Sequence, residues 1–412
     1  VSIAITVFFL LILPLALGIL TNVRRPEFAA RIRKTMQRIS MAIFVGFIVV
    51  ALAANWGFLQ SLALTVAGLV VLHNALALSS GYLSATVMKL SPYDRRAITI
   101  ETGIQNSGLG LVLIFAFFEE LASAGIETLG TDVRKPGKLP EGVGFETLDV
   151  RSGDGDRVIG GFKPEVIVHL ASIVSPSRGM TRDFAHDVDV KGTRNVLDAA
   201  IRHGVRRLVV TSSGAAYGYH ADNPVPLSET DPLRGNREFA YSDHKRQVEE
   251  MLAELRASHP GLEQVVLRVG TVLGAGLENQ ITELFHRPKL IAVQGSDSPF
   301  VFIWTVDLAR ILLRAAGEGP AGIFNVCGDG ALSVHELAKA LGKPVMALPA
   351  WALKAALGFA RPLGLSRYGP EQVRFLQYRP VLDNTALKNE FGYRPELTSA
   401  QTFDLWRKAA GL

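Results

Sequence analysis

From about Glu119 to Leu412 the sequence predicts an α/β fold: a doubly wound parallel sheet that lacks its first strand and carries a small C-terminal substrate lid. The main observation is that short apolar strands alternate with amphipathic helices after Glu119. A second observation is that residues 1–118 consist largely of long uncharged runs, which predict an all-α membrane segment of about four helices.

The individual elements follow from hydrophobic periodicity. Strands are predicted at Glu127–Asp132, Phe145–Val150, Val166–Leu170, Arg207–Ser212 and Gln264–Val269. Helices are predicted at Thr193–His203, Tyr241–Ser258, Val306–Ala316 and Val334–Leu341. Residues 119–270 would mainly bind a nucleotide, and residues 271–412 would mainly form the lid, with interleaved core elements. The apolar stretch Val345–Leu365 is assigned to lid helices, because Pro349, Lys354, Arg361 and Pro362 interrupt it.

Charge and cysteine content separate the two parts of the chain. Residues 1–118 hold nine basic residues against three acidic ones, whereas residues 119–412 hold 34 basic against 35 acidic residues. The basic residues lie in short segments between apolar runs, which does not indicate a nucleic-acid partner. The lone Cys327 excludes an intrachain disulfide and fits a reducing compartment for the second part.

The first part predicts a multi-pass protein of a bacterial inner membrane. Val1–Leu20 and Ser40–Met88 lack charged residues, and the second run is long enough for two crossings. The start at Val1 has no signal-peptide features and suggests a truncated chain. Basic residues in Thr21–Arg38 and Lys89–Arg96 place both loops in the cytoplasm. A fourth crossing near Ala97–Phe118 would then export the following domain, and a failed crossing would leave it in the cytoplasm.

The string Glu101-Thr-Gly-Ile-Gln105-Asn106, with Leu72-His73-Asn74 and Arg95-Arg96, resembles the bile acid:sodium symporter family over roughly residues 1–115. The resemblance implies a Na⁺ site at Glu101 and Gln105. A carboxylate and an amide oxygen one helical turn apart suit a hard cation. A polar contact between helices is the alternative interpretation. The helices that would complete such a transporter are absent from this sequence.

A second set of motifs lies after Glu119. These are Val168-His169-Leu170-Ala171-Ser172, Val190-Lys-Gly192-Thr193, Thr211-Ser212-Ser213-Gly-Ala-Ala-Tyr217-Gly218, Tyr241-Ser-Asp-His-Lys245, Trp304-Thr-Val306-Asp307 and Phe324-Asn325-Val326-Cys-Gly328. Together they resemble the extended short-chain dehydrogenase/reductase family, in particular its NAD-dependent epimerase/dehydratase branch, over residues 119–412. The resemblance implies a Rossmann-like domain that transfers hydride between NAD and a nucleotide sugar or similar hydroxyl substrate.

The resemblance assigns catalysis to Ser213, Tyr241 and Lys245. Tyr241 would take the proton of a substrate hydroxyl while hydride leaves the same carbon, and Ser213 would hold that oxygen. Lys245 lies one helical turn after Tyr241, where its ammonium is expected to stabilise the phenolate. Ser212 is the alternative to Ser213.

The same resemblance assigns cofactor contacts. Asp132 would accept both adenosine ribose hydroxyls, which favours NAD over NADP, although the nearby Arg134 weakens that preference. The remaining contacts fall on Asp149, Val150, Leu170, Ala171, Asp189, Tyr241 and Lys245. Asp189 stands where the family normally has Asn.

The glycine-rich loop of this family does not align. Its three glycines should fall at positions 108, 111 and 114, where the sequence has Gly108, Leu111 and Ile114. The preceding residues, Glu101–Ser107, are too polar for a central parallel strand. Because the loop cradles the pyrophosphate at a helix N-terminus, NAD binding is expected to be weak or absent.

Three interpretations therefore remain open. The chain is a membrane-attached NAD-dependent epimerase, dehydratase or dehydrogenase, a fragment of a sodium-coupled symporter with a passive tail, or a non-functional fusion of two truncated genes. The expected partners are a small-molecule substrate and the lipid bilayer. The sequence leaves the oligomeric state open, although relatives commonly form a homodimer through the helix that bears Tyr241.

Overall fold

The computed structural model describes residues 117–133, 139–174, 180–277, 279–360 and 369–412. All of these belong to one compact unit, Ser107–Leu412. The predicted membrane segment and sodium site, with Glu101 and Gln105, lie outside the described residues, as do Arg134 and the positions of the glycine loop. No helix within the described ranges is both long and apolar enough to cross a bilayer.

Parallel strands form the centre of the part that the sequence predicts to bind a nucleotide. Strand β1 (Thr128–Asp132) pairs with β2 (Val143–Thr147). A four-stranded sheet has the order β3 (Val166–His169), β4 (Arg207–Ser213), β5 (Glu263–Val269) and β9 (Gly322–Val326). Every pairing in both sheets is parallel. Among the described strands, none pairs with both β1 and β3, so no described strand joins the two sheets.

Helices cover both faces of the four-stranded sheet. They are α1 (117–123), α2 (Asp154–Phe162), α3 (Arg182–His186), α4 (Gly192–Arg202), α5 (Ala240–Ser258) and α7 (Thr305–Ala316). A π-helical segment, Asp187–Lys191, joins α3 to α4, and a 3₁₀ turn, Gly214–Tyr217, follows β4.

Side chains of the sheet alternate between two apolar cores, as the pleat requires. Val209 and Leu267 pack on one face with residues of α1 and α7. Leu208 and Val210 pack on the other face with residues of α2, α4 and α5. Helices on both faces of a parallel sheet define the doubly wound α/β architecture that the sequence predicts.

The remaining elements form the C-terminal part. Two further parallel pairs join β6 (Thr271–Leu273) to β8 (Phe302–Trp304) and β7 (Leu290–Val293) to β10 (Val345–Leu348). The helices are α6 (Gln280–His286), α8 (Val334–Ala340), α9 (Ala350–Ala360), α10 (Gln372–Gln377), α11 (Thr385–Asn389) and α12 (Ser399–Ala409). Phe285 stacks edge-on against Phe300, Phe302 and Phe403, which fixes α6 and α12 to this part of the core.

The predicted elements are confirmed to within one or two residues at their ends, apart from two corrections. Strand β2 ends at Thr147 rather than Val150, because Asp149 already begins a turn in which its carbonyl accepts the Ser152 amide. The stretch predicted as lid helices begins with a strand, β10, because its backbone pairs with β7, and becomes helical only at Ala350.

Candidate active site

Ser213 is presented by the turn that ends β4. Its hydroxyl accepts a hydrogen bond of 3.1 Å from the amide of Ala215, which caps the following 3₁₀ turn. Gly218 ends that turn with a φ of +79°, and a Cβ there would lie 2.3 Å from the carbonyl oxygen of Arg234. Only glycine combines this backbone conformation with so close an approach, so the Gly218 position fixes the path of the chain beyond Ser213.

Tyr241 and Lys245 lie one turn apart at the start of α5 and meet Ser213 at the carboxyl end of β4. The side chain of Ser213 lies close enough to the Tyr241 hydroxyl to lower the pKa of Tyr241. The Lys245 ammonium lies 5.7 Å from the centroid of the Tyr241 ring and donates a hydrogen bond of 2.8 Å to the carbonyl of Thr211. The structure therefore brings together the three residues predicted to be catalytic.

The pKa of the Tyr241 hydroxyl lies above the ordinary value for tyrosine. Burial raises the pKa of Tyr241 to about 12, an effect that the hydrogen bond from Ser213 opposes and the charge of Asp189 reinforces. The Lys245 ammonium, which donates to the Thr211 carbonyl, is not among the groups that shift this pKa. The stabilisation of the phenolate by Lys245 therefore stays a prediction, and with a pKa of about 12 the phenol is protonated at neutral pH.

Lys245 is itself buried at the base of the site. Burial lowers the pKa of Lys245, and the negative charges of Asp189 and Glu249 act in the opposite direction. Two carboxylates on different elements thus favour the charged ammonium in an environment that otherwise disfavours it.

Ser212, the alternative to Ser213, faces the opposite side of β4. It is buried, and its hydroxyl donates to Glu249. Glu249 also forms a buried ion pair with Arg268, 2.8 Å between Oε2 and Nη2, and Arg268 donates to the Tyr217 hydroxyl at 2.7 Å. The geometry assigns Ser212 to a structural network below the site, and leaves Ser213 facing Tyr241.

Asp189 lies in the π-helical segment and is buried beside the catalytic helix. Its Oδ1 accepts hydrogen bonds from the amide of Ile173 at 2.7 Å and from the Ser172 hydroxyl at 3.1 Å. Its Oδ2 lies 2.8 Å from Nδ1 of His244. The residue that departs from the family pattern therefore connects the segment after β3 to α5.

The other predicted cofactor residues lie at or near the carboxyl ends of the first three strands. Asp132 ends β1, and Leu170 and the exposed Ala171 follow β3. The carbonyl of Val150 accepts a hydrogen bond of 2.8 Å from Asn195. Asp149 is already bound by Arg151 through the side chain and the amide, which lowers the pKa of Asp149.

Most of this donor set fits a dinucleotide. Nucleotides bind parallel α/β sheets at the carboxyl edge, where Asp132 ends β1 and the exposed Ala171 follows β3. Asp149 is the exception, because Arg151 occupies both of its carboxylate oxygens. In the part of the chain that is described, no group of three or more His, Cys, Asp or Glu side chains could hold a metal ion.

Sequence reasoning missed two parts of this site, His244 and the Glu249–Arg268 pair. Both had a signal. His244 precedes Lys245 within the catalytic motif, and Glu249 lies four residues after Lys245, so helical spacing places Lys245 and Glu249 on one face of α5. Arg268 could not be foreseen, because it lies on β5, and only the packing of α5 against the sheet brings it into contact with Glu249.

Comparison with known proteins assigns the class. The fold is that of the short-chain dehydrogenase/reductase class, and the catalytic roles of Ser213, Tyr241 and Lys245 stay predictions. A sequence model of the NAD dependent epimerase/dehydratase family matches residues 116–327, and the chain belongs to that family. A model of the Sodium Bile acid symporter family matches residues 1–62, about half of the segment over which the resemblance was expected.

Relatives and solved structures agree with this assignment. A sterol-4-alpha-carboxylate 3-dehydrogenase (decarboxylating) of Saccharomyces cerevisiae is 32% identical over 210 residues, which are 48% of this chain and 58% of the yeast protein. UDP-glucose 4-epimerase of Thermotoga maritima, solved with UDP-glucose, is similar with a TM-score of 0.58 at 20% identity, covering 73% of this chain and 95% of that one. The Thermus thermophilus UDP-glucose 4-epimerase in complex with NAD gives a TM-score of 0.56 at 23% identity, covering 72% and 95%. The two structural likenesses show the fold alone.

Proposed function

We propose that the domain oxidises or epimerises a hydroxyl-bearing carbon of a nucleotide sugar or similar small molecule, with NAD as cofactor. The observation that carries this proposal is the convergence of Ser213, Tyr241 and Lys245 at the carboxyl end of β4. NAD, bound along that edge by Asp132, Leu170 and Ala171, would supply the hydride acceptor.

The chain's own residues provide the proton chemistry. Ser213 would hydrogen-bond the substrate oxygen and orient it toward Tyr241. Tyr241 would accept the hydroxyl proton, which requires that its own proton first be lost. Lys245, held by the Thr211 carbonyl, would keep a positive charge beneath the phenol as negative charge develops on it.

Enzymatic turnover by the full chain tests this proposal. With NAD and UDP-glucose as probes, interconversion with UDP-galactose or formation of NADH is expected, and Tyr241→Phe should lower the rate about 10²- to 10⁴-fold. Tyr393→Phe is the matched control, because its hydroxyl is bound to Asp307 instead of a site residue. Equal rates for Tyr241→Phe and the unaltered chain would contradict the proposal.

A further part of the proposal is that NAD binds weakly. It rests on Leu111 and Ile114 at two of the three glycine positions, and on the lack of pairing between the described strands β1 and β3. Without a glycine loop, no backbone cradle for the pyrophosphate is available. The first strand of the family, which would precede β1 here, normally lies at the switch point of the sheet. Its loss would also leave the edges of the neighbouring strands unpaired.

Calorimetric titration of the full chain with NAD tests the second part separately. A dissociation constant near or above about 1 mM is expected. Replacing residues 101–114 with a strand and Gly-x-x-Gly-x-x-Gly loop of the family should tighten binding at least about tenfold. The control graft carries alanines in place of the three glycines and should not tighten it. Micromolar binding by the unaltered chain would overturn this part and leave the catalytic proposal standing.

The attachment of this domain to a membrane is proposed on the match of residues 1–62 to the symporter family. Separation of cell membranes from soluble protein tests it, with the full chain expected in the membrane fraction after a high-salt wash. Release of the chain by salt alone would contradict a multi-pass attachment.

A further inference from the structure

Helix α9 (Ala350–Ala360) exposes an apolar surface that neither the fold nor the proposed activity uses. Trp351 and Phe359 are 73% and 72% exposed, although both are large aromatic residues. Ala355, between them in sequence, is also exposed. Residues four and eight apart lie within about 80° of each other around a helix, so the three form one ridge, here called the α9 ridge.

The opposite side of the same helix is already buried in the protein. Leu353 packs with Val293 and Val373, and Leu357 borders the same cluster. Helix α9 is therefore apolar on both sides, although only one side meets the protein. A helix of this type is normally enclosed completely, so the outer side is suited to a second non-aqueous environment.

The charge around the ridge points to an anionic surface. No Asp or Glu occurs between Glu336 and Glu371, although the chain after residue 118 as a whole is slightly acidic. Lys354 lies on α9 next to the ridge and is exposed. Aromatic residues flanked by lysine, with no acid nearby, are characteristic of helices that lie in the interface of an anionic bilayer.

The length of α9 distinguishes lying on a bilayer from crossing it. Eleven residues give a helix of about 16 Å, roughly half of the 30 Å hydrocarbon core. The proposed attachment of residues 1–62 to a membrane would keep the domain near a bilayer, because those residues match a membrane transporter family.

We propose that α9 docks the domain on an anionic membrane surface, with Trp351 and Phe359 inserted at the level of the lipid head groups. This inference does not depend on the proposed catalytic activity.

Docking would take place one helix away from the residues proposed to be catalytic. Val373 and Leu376 of α10 pack in the α9 cluster, while Phe375 of α10 lies 5.3 Å from the Tyr219 ring and 6.3 Å from that of Phe239, the residue capping α5.

The lone native cysteine makes a direct test practical. Cys327 is buried, so Ala355→Cys in the full chain would carry a fluorescent label on the ridge alone. The labelled chain is reconstituted in vesicles of phosphatidylcholine and phosphatidylglycerol, and a fraction of the lipids carries a nitroxide quencher. Ala400→Cys is the matched control, an exposed alanine near the start of α12.

The expected result is that the label on the ridge is quenched about threefold more strongly than the label on α12, and less strongly when phosphatidylglycerol is left out. Trp351→Ser with Phe359→Ser should remove the difference between the two labels. Equal quenching at both positions would overturn the proposal. Shielding of the ridge label from water in detergent would also overturn it, because another segment of the chain would then cover the ridge. Quenching of the ridge label by a second labelled copy would overturn it as well, because the ridge would then be an interface between copies.

Discussion

Asp189 and His244 form a buried contact of 2.8 Å between Oδ2 and Nδ1, with neither side chain more than 2% exposed. The second oxygen of Asp189 holds the amide of Ile173 and the hydroxyl of Ser172. The contact joins the segment after β3, which the family resemblance assigns to the cofactor, to the helix that carries Tyr241 and Lys245. It also keeps a negative charge near the Lys245 ammonium.

Asp189→Ala is therefore expected to lower the free energy of unfolding by about 2–4 kcal/mol, because it removes the acceptor of the buried His244 and of the half-buried Ile173 amide and Ser172 hydroxyl. Urea unfolding followed by tryptophan fluorescence measures the change. Asp189→Asn should cost less, since an amide oxygen still accepts from Ile173. Asp198→Ala, an exposed acid on α4, is the control and should stay within about 0.5 kcal/mol of the unaltered chain. A similar effect of both alanine substitutions would contradict the interpretation.

His169 makes stability depend on pH. Burial and the charge of Lys245 lower the pKa of His169 to about 4, so the folded protein keeps it neutral while the unfolded chain takes up a proton near pH 6.5. The free energy of unfolding should fall as the pH drops from about 6.5 to about 4, by roughly 3 kcal/mol from this group.

His169→Gln tests this, because an amide can still donate to Thr193, which lies 2.9 Å from Nε2 of His169. The variant should lose that part of the acid destabilisation in denaturation curves recorded across this pH range. The exposed His335→Gln should retain it. An unchanged slope in His169→Gln would show that other groups cause the acid sensitivity.

The buried Arg268–Glu249 ion pair supports β4, β5 and α5 beneath the site. Arg268→Leu should destabilise the protein by about 3–5 kcal/mol, because Glu249 would remain charged without its partner. The double variant Glu249→Leu/Arg268→Leu should recover part of that loss, which chemical denaturation can measure. If the double variant is less stable than Arg268→Leu alone, the stranded charge is not the cause.

The pH dependence of turnover should report on Tyr241. Since burial raises the pKa of Tyr241 to about 12, the rate with NAD and UDP-glucose should increase continuously from neutral to alkaline pH, as more of the phenol ionises. Ser213→Ala removes a hydrogen bond that lowers this pKa, and should shift the ascending limb to higher pH. A rate that is independent of pH above neutrality would contradict the role of Tyr241 as the base.

Much of the nucleotide-binding part could be predicted because its signals are local. Strand β4 and helix α5 were located almost to the residue, since hydrophobic periodicity and the Tyr241–Lys245 spacing lie within single elements. The end of β2 could not be located, because Arg151 and Ser152 donate hydrogen bonds to Asp149 that place it in a turn. Strand β10 was assigned to a helix, because its pairing partner, β7, lies more than fifty residues earlier in the chain.

The sequence by itself determined the family, the α/β class and the identity of the three residues that meet at the carboxyl end of β4, because motif spacing and periodicity are properties of neighbouring residues. Only the tertiary structure decided that Ser213 rather than Ser212 faces Tyr241, that Asp189 pairs with His244, and that burial raises the pKa of Tyr241. Each of these depends on which groups from distant segments are buried next to one another. The spacing of residues along the chain does not contain that information.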